Sequence, residues 1–133
     1  MERQKTIVDA SVIVKWFTNE ESSEEALKLR DEHLAGRVLL SAPHLLFLEV
    51  LNALRYKNKS EKDLANVNRA LWDMQLHIED TNFFLLDKAS SLAVKHNLSL
   101  YDAIYFALSV LSRSPLITAD EKLAKVSNAI LLK

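Results

Sequence analysis

The 133-residue sequence predicts an α/β fold, a three-layer α/β/α sandwich around a central, mostly parallel sheet. Three observations lead there. Short β-branched runs alternate along the chain with longer amphipathic stretches. A 49% share of hydrophobic residues is enough for a proper core. One glycine and two prolines leave little room for a linker, so residues 1–133 read as a single domain.

Each element follows in order. Thr6 to Val8 reads as the first strand and Ser11 to Phe17 as a helical turn or two behind it. "SSEEALKLRDEHLAG" opens with a capping box, Ser22 to Glu25, and ends at Gly36, a left-handed C-cap. "RVLLSA" is the second strand. Pro43 suits the first turn of the next helix, which runs to about Tyr56. Ser60 opens "SEKDLANVNRALWDMQ", another amphipathic helix, and "LHIE" is the third strand. A helix follows from about Phe83 to His96, and Ser99 opens "LYDAIYFALSVLSR". "PLIT" is the fourth strand, "DEKLAKV" a short helix and "AILL" the fifth strand. Helical crossovers between successive strands make the sheet parallel.

Composition excludes several classes. Without cysteine there is neither a disulfide framework nor a thiolate metal site. No apolar run reaches membrane-spanning length, and "MERQKT" leads into a strand without a signal-peptide stretch, so a soluble cytoplasmic protein is expected.

Four acids stand out against their surroundings. Asp9 lies between Thr6-Ile7-Val8 and Val12-Ile13-Val14, where an ionised carboxylate needs a partner or a job. Parallel sheets bind ligands outside the carboxyl ends of their strands, near the point where strand order reverses. Asp9 directly follows strand one, and Asp120 follows strand four by one residue. An assumed strand order of 3-2-1-4-5 makes the two neighbours. Glu49 sits in "HLLFLEVLNALRY", a helix apolar nearly all round; the bland alternative is a narrow solvent stripe shared with Asn52 and Tyr56. Asp102 follows Ser99 by three residues, a capping arrangement, and Asp120 could equally N-cap the helix from Glu121. Two helices separate strands three and four, so winding alone does not say which end of the sheet Asp102 faces. His33, His44, His77 and His96 share no ligand spacing and read as surface or capping residues. Trp16 and Trp72 lie on apolar helical faces and read as core or interface.

"IVDASVIVKWF", "PHLLFLEVLNALR", "LSLYDAIYFALS" and "LITADEKLAK" resemble, in order and spacing, the successive motifs of PIN-domain ribonucleases, in particular the small VapC-like toxins of toxin–antitoxin pairs. The resemblance implies the α/β/α sandwich, with Asp9, Glu49, Asp102 and Asp120 as a catalytic acidic cluster holding Mg²⁺ or Mn²⁺. Asp9, Asp102 and Asp120 are the expected metal ligands, with Asp120, like Glu49, ligating directly or orienting water around the ion. Ser11 and Thr118 match polar positions beside the acids. Cleavage of RNA, a homodimer and inhibition by a small cognate antitoxin are implied as well.

The chemistry of the residues agrees. Crowded carboxylates cannot all ionise unless a cation neutralises them, and an all-oxygen site suits a hard ion such as Mg²⁺ or Mn²⁺. Removing four negative charges from a net charge of −1 leaves +3 for the rest of the chain, which softens the conflict with an RNA substrate. "RYKNKSEK" gathers Arg55, Lys57, Lys59 and Lys62 as a phosphate-contacting patch, or as cations favoured by a helix C-terminus. The apolar and aromatic surplus, including Trp16, Phe17, Trp72, Phe83 and Phe84, points to a second copy of the chain. An antitoxin is expected to insert a basic side chain among the acids. The competing reading is a non-catalytic module of the same fold that binds an Arg-bearing partner peptide through its acidic pocket.

Overall fold

The computed structural model describes residues 3–133. Five strands, β1 (Gln4–Val8), β2 (Val38–Pro43), β3 (His77–Glu79), β4 (Leu116–Thr118) and β5 (Ile130–Leu131), form one sheet in the order β3-β2-β1-β4-β5. Every pairing is parallel, as the crossovers predict. The strand order assumed from sequence is the one found, and it places the reversal between β1 and β4. Ile7 is the pivot of the register, facing Ser41 on one side and Leu116 on the other.

Seven helices cover the sheet: α1 (Ala10–Val14), α2 (Ser23–Leu34), α3 (Leu45–Tyr56), α4 (Glu61–Asp73), α5 (Phe83–His96), α6 (Leu100–Ser112) and α7 (Glu121–Ser127). Right-handed crossovers put the helices of the β1-β2-β3 half on one face and those leading to β4 and β5 on the other. Packing agrees, since α3 lies against α1 and α4, and α6 against α5 and α7. The central strand is covered on both faces, which is why Thr6, Ile7, Val8 and Asp9 are all buried in a row rather than alternating.

The elements keep their predicted order, with local corrections. Pro43 does not enter a helix; it is the last residue of β2, opposite Glu79, and α3 begins at Leu45. A strand end tolerates its missing N–H. Ser22 precedes α2 in a left-handed conformation and makes no side-chain cap, so there is no Ser22–Glu25 box. Ser23 does the local work, its Oγ accepting from the Glu20 N–H and donating to the Thr18 carbonyl. Gly36 follows α2 at φ +79, the left-handed position that glycine adopts without a Cβ penalty. Ser60 forms a true capping box with Asp63.

His33 is not a surface residue. Its Nδ1 accepts from the Leu40 N–H at 3.1 Å, so Nε2 carries the proton and donates to the Met74 carbonyl at 2.9 Å. One buried imidazole thus ties α2 to β2 and to the end of α4. Trp16 is core, its indole N–H satisfied by the Ala26 carbonyl at 2.8 Å, and Phe17 packs partly buried beside it. Trp72 is 56% exposed and stacks on Phe47 with ring centroids 4.3 Å apart.

Candidate active site

Asp9 leaves the end of β1 as the residue before α1, yet its carboxylate does not cap that helix. It is drawn sideways toward β4. Ser11 donates to Oδ1 at 2.5 Å and Thr118 donates to Oδ2 at 2.6 Å. Each hydroxyl is itself held by a backbone donor: the Ala119 N–H reaches Ser11 Oγ at 2.9 Å and the Asp120 N–H reaches Thr118 Oγ1 at 3.0 Å. Two relays therefore fix the carboxylate between the ends of β1 and β4. Burial pushes the Asp9 carboxyl up to about 6, partly offset by the bonds from Ser11 and Thr118 and reinforced by the charge of Asp120.

The remaining acids arrive from three helix segments. Asp120 caps α7, its Oδ1 accepting from the Leu123 N–H at 3.2 Å, so the capping reading is correct and does not remove the residue from the site. Asp102 lies in the first turn of α6, whose N-cap Ser99 accepts from the Asp102 N–H at 3.1 Å. Its carboxyl is raised by burial and then by Asp120. Glu49, on α3, is half-buried between exposed Asn52, with which it lines a groove, and the cleft that holds Asp9. It accepts a hydrogen bond from the Tyr105 hydroxyl at 2.6 Å, and burial, followed by Asp102 and Asp9, raises its carboxyl.

All four acids line one cleft of about 230 Å³, together with Ser11 and Tyr105. α6 therefore faces the same end of the sheet as Asp9, the point that winding left open. The lining contains no lysine or arginine. Among the described residues no three acidic or histidine side chains already stand as ligands about one point. The donor set nonetheless fits a hard divalent cation: all-oxygen, with Asp9 buried and the other three acids half-buried, and with Lys122, outside the lining, as the cation that opposes the rise of the Asp102 carboxyl.

A wider concavity of about 540 Å³ lies toward α2 and the β5 end, but its acids, Glu21, Glu25 and Glu121, are exposed side chains. Size alone does not pick the site. An apolar groove of about 440 Å³, lined by Leu45, Leu48, Asn52 and Tyr101, adjoins the acid cleft and shares Glu49 with it. Of the basic patch, Lys57 is engaged with Glu20 at 3.0 Å, and the Arg55 guanidinium stands 5.8 Å from the Tyr56 ring centroid.

Sequence reasoning passed over Tyr105. A signal existed, because a tyrosine on the apolar face of a buried helix must bring its hydroxyl to some acceptor.

The fold and cleft define a parallel α/β/α protein with an acidic site at its topological switch point. The chain belongs to the PIN domain family, whose model matches residues 6–129. It is 33% identical over 122 residues to Ribonuclease VapC1 of Mycobacterium tuberculosis, covering 89% of this chain and 87% of that one. To Ribonuclease VapC3 of Pyrobaculum aerophilum it is 29% identical over 122 residues, covering 91% and 93%. A toxin–antitoxin complex from Klebsiella pneumoniae shares the fold with a TM-score of 0.71 at 17% identity, over 96% of this chain and 98% of that one.

Proposed function

We propose that this protein is a metal-dependent endoribonuclease, the toxin of a toxin–antitoxin pair, that hydrolyses RNA phosphodiester bonds. The carrying observation is the cleft itself, in which four carboxylates converge from the end of β1, α3, α6 and the β4–α7 junction with no lysine or arginine in the lining. Mg²⁺ or Mn²⁺, held by Asp9, Asp102 and Asp120, would supply acidified water and offset charge on the phosphate oxygens. The protein's own contribution is positional. Ser11 and Thr118 hold Asp9 in one orientation, Asp120 is anchored through its cap, and Glu49, lining the same cleft, orients water or ligates. Family membership and the ribonuclease names of its relatives support the reaction.

A cognate antitoxin, a homodimer and a cytoplasmic site of action complete the reading. The antitoxin's guanidinium would enter among the acids, where it offsets the charge the metal otherwise offsets. The exposed aromatics Trp72, Phe83 and Phe84 support a second copy of the chain, whereas Trp16 and Phe17 are spent in the core. No helix among the described residues is long and apolar enough to cross a membrane.

The competing binding module would use the same charges to hold an Arg-bearing peptide without catalysis. Pure protein incubated with total RNA and Mn²⁺ or Mg²⁺, with and without EDTA, separates the two. Chelator-sensitive cleavage is expected; its absence across several RNA classes would favour the binding module.

A further inference from the structure

We infer that Tyr105 is a positioning residue of the acidic cleft, its hydroxyl holding Glu49 Oε1 and thereby setting how Glu49 faces the cation and RNA. The inference rests on the metal-dependent nuclease reading above. Its geometry is specific. Tyr105 sits in the middle of α6 at 2% exposure, and its hydroxyl spans to α3 to donate at 2.6 Å to a residue 56 positions away. Both residues line the cleft, together with Asp9 and Asp102.

A buried phenol must find an acceptor, and backbone carbonyls would satisfy it. Here it takes a carboxylate oxygen of the site. Glu49 has three rotatable side-chain bonds, and this contact is the hydrogen bond that fixes them among the described residues. Oε1 is committed to the phenol, and Oε2 has no protein donor among the described residues, so one oxygen anchors while the other is left for the cleft. Tyr105 is itself too buried to touch a long RNA chain.

The test is Tyr105→Phe, which removes the hydroxyl and keeps the ring, measured in the parent background and again in Glu49→Ala. Calorimetric titration of RNA-free protein with Mn²⁺ gives the binding midpoint; RNA cleavage gives kcat and KM. A cooperative melt is recorded first. The expected result is a folded variant with Mn²⁺ affinity or kcat lowered roughly 10–100-fold, the range found when groups that orient site carboxylates are removed, and KM unchanged. In Glu49→Ala the same substitution should change neither quantity, because nothing is left to orient. Parental midpoint and kcat in Tyr105→Phe would overturn the inference. So would an equal loss in both backgrounds, or loss of the cooperative melt, since either makes Tyr105 a packing residue. If the parent binds Mn²⁺ but cuts no RNA, the nuclease reading fails and the midpoints still decide the role of Tyr105. A parent that neither binds Mn²⁺ nor cuts RNA removes both.

Discussion

Thr118 donates its hydroxyl hydrogen to Asp9 Oδ2 over 2.6 Å, joining two residues 109 positions apart at the ends of adjacent strands. The same oxygen of Thr118 accepts from the Asp120 N–H, so one buried hydroxyl links two acids of the cleft. Thr118→Val keeps the shape and deletes both bonds. In EDTA at neutral pH the variant should lose about 1–3 kcal/mol, the cost of leaving buried polar groups unmatched, as read by urea denaturation. No loss would mean that the relay contributes nothing to holding Asp9.

Asp9→Asn should act in the opposite direction. Burial already disfavours the Asp9 charge, and Asp120 adds repulsion, so the metal-free variant should melt at or above the parent at neutral pH. RNA cleavage should nearly vanish, and Mn²⁺ should raise the variant's melting temperature far less than the parent's. An early-melting variant that responds normally to Mn²⁺ and still cuts RNA would remove Asp9 from the site.

Lys5 reaches Glu79 from β1 to the edge strand β3, and this bond, ahead of the opposing effect of burial, holds the Glu79 carboxyl below its ordinary value. A depressed carboxyl contributes stability above the unfolded value near 4.5 and loses it as pH falls through the folded value. Lys5→Met should therefore cost about 0.2–1 kcal/mol at pH 7, and its gap from the parent should close in acid. Denaturation of both proteins at each pH checks this; a gap that persists in acid would assign the effect to packing.

Phe83 and Phe84 pack edge to face, each 73% exposed, at the start of α5. If a second copy covers them, light scattering at micromolar concentration should give a dimer, and Phe83→Ser with Phe84→Ser should give a monomer. A parent that scatters as a monomer contradicts the dimer.

The sequence by itself determined the element order, the parallel sheet and the candidate acids, because alternating β-branched runs and amphipathic stretches are local patterns with local causes. Asp9 was conspicuous for the same reason, a charge set between two apolar segments. Only the tertiary structure decided what these groups touch. Winding did not say that Asp102 lines one cleft with Asp9, nor that Glu49 bonds to Tyr105, since both depend on how α3 and α6 pack at the sheet end. His33 and Ser22 were misread because nothing in their neighbours along the chain reports a partner 41 residues away or a left-handed backbone. Burial and hydrogen bonding depend on segments that meet only when the chain is folded, which is why the acids could be named from the sequence while their partners and charge states could not.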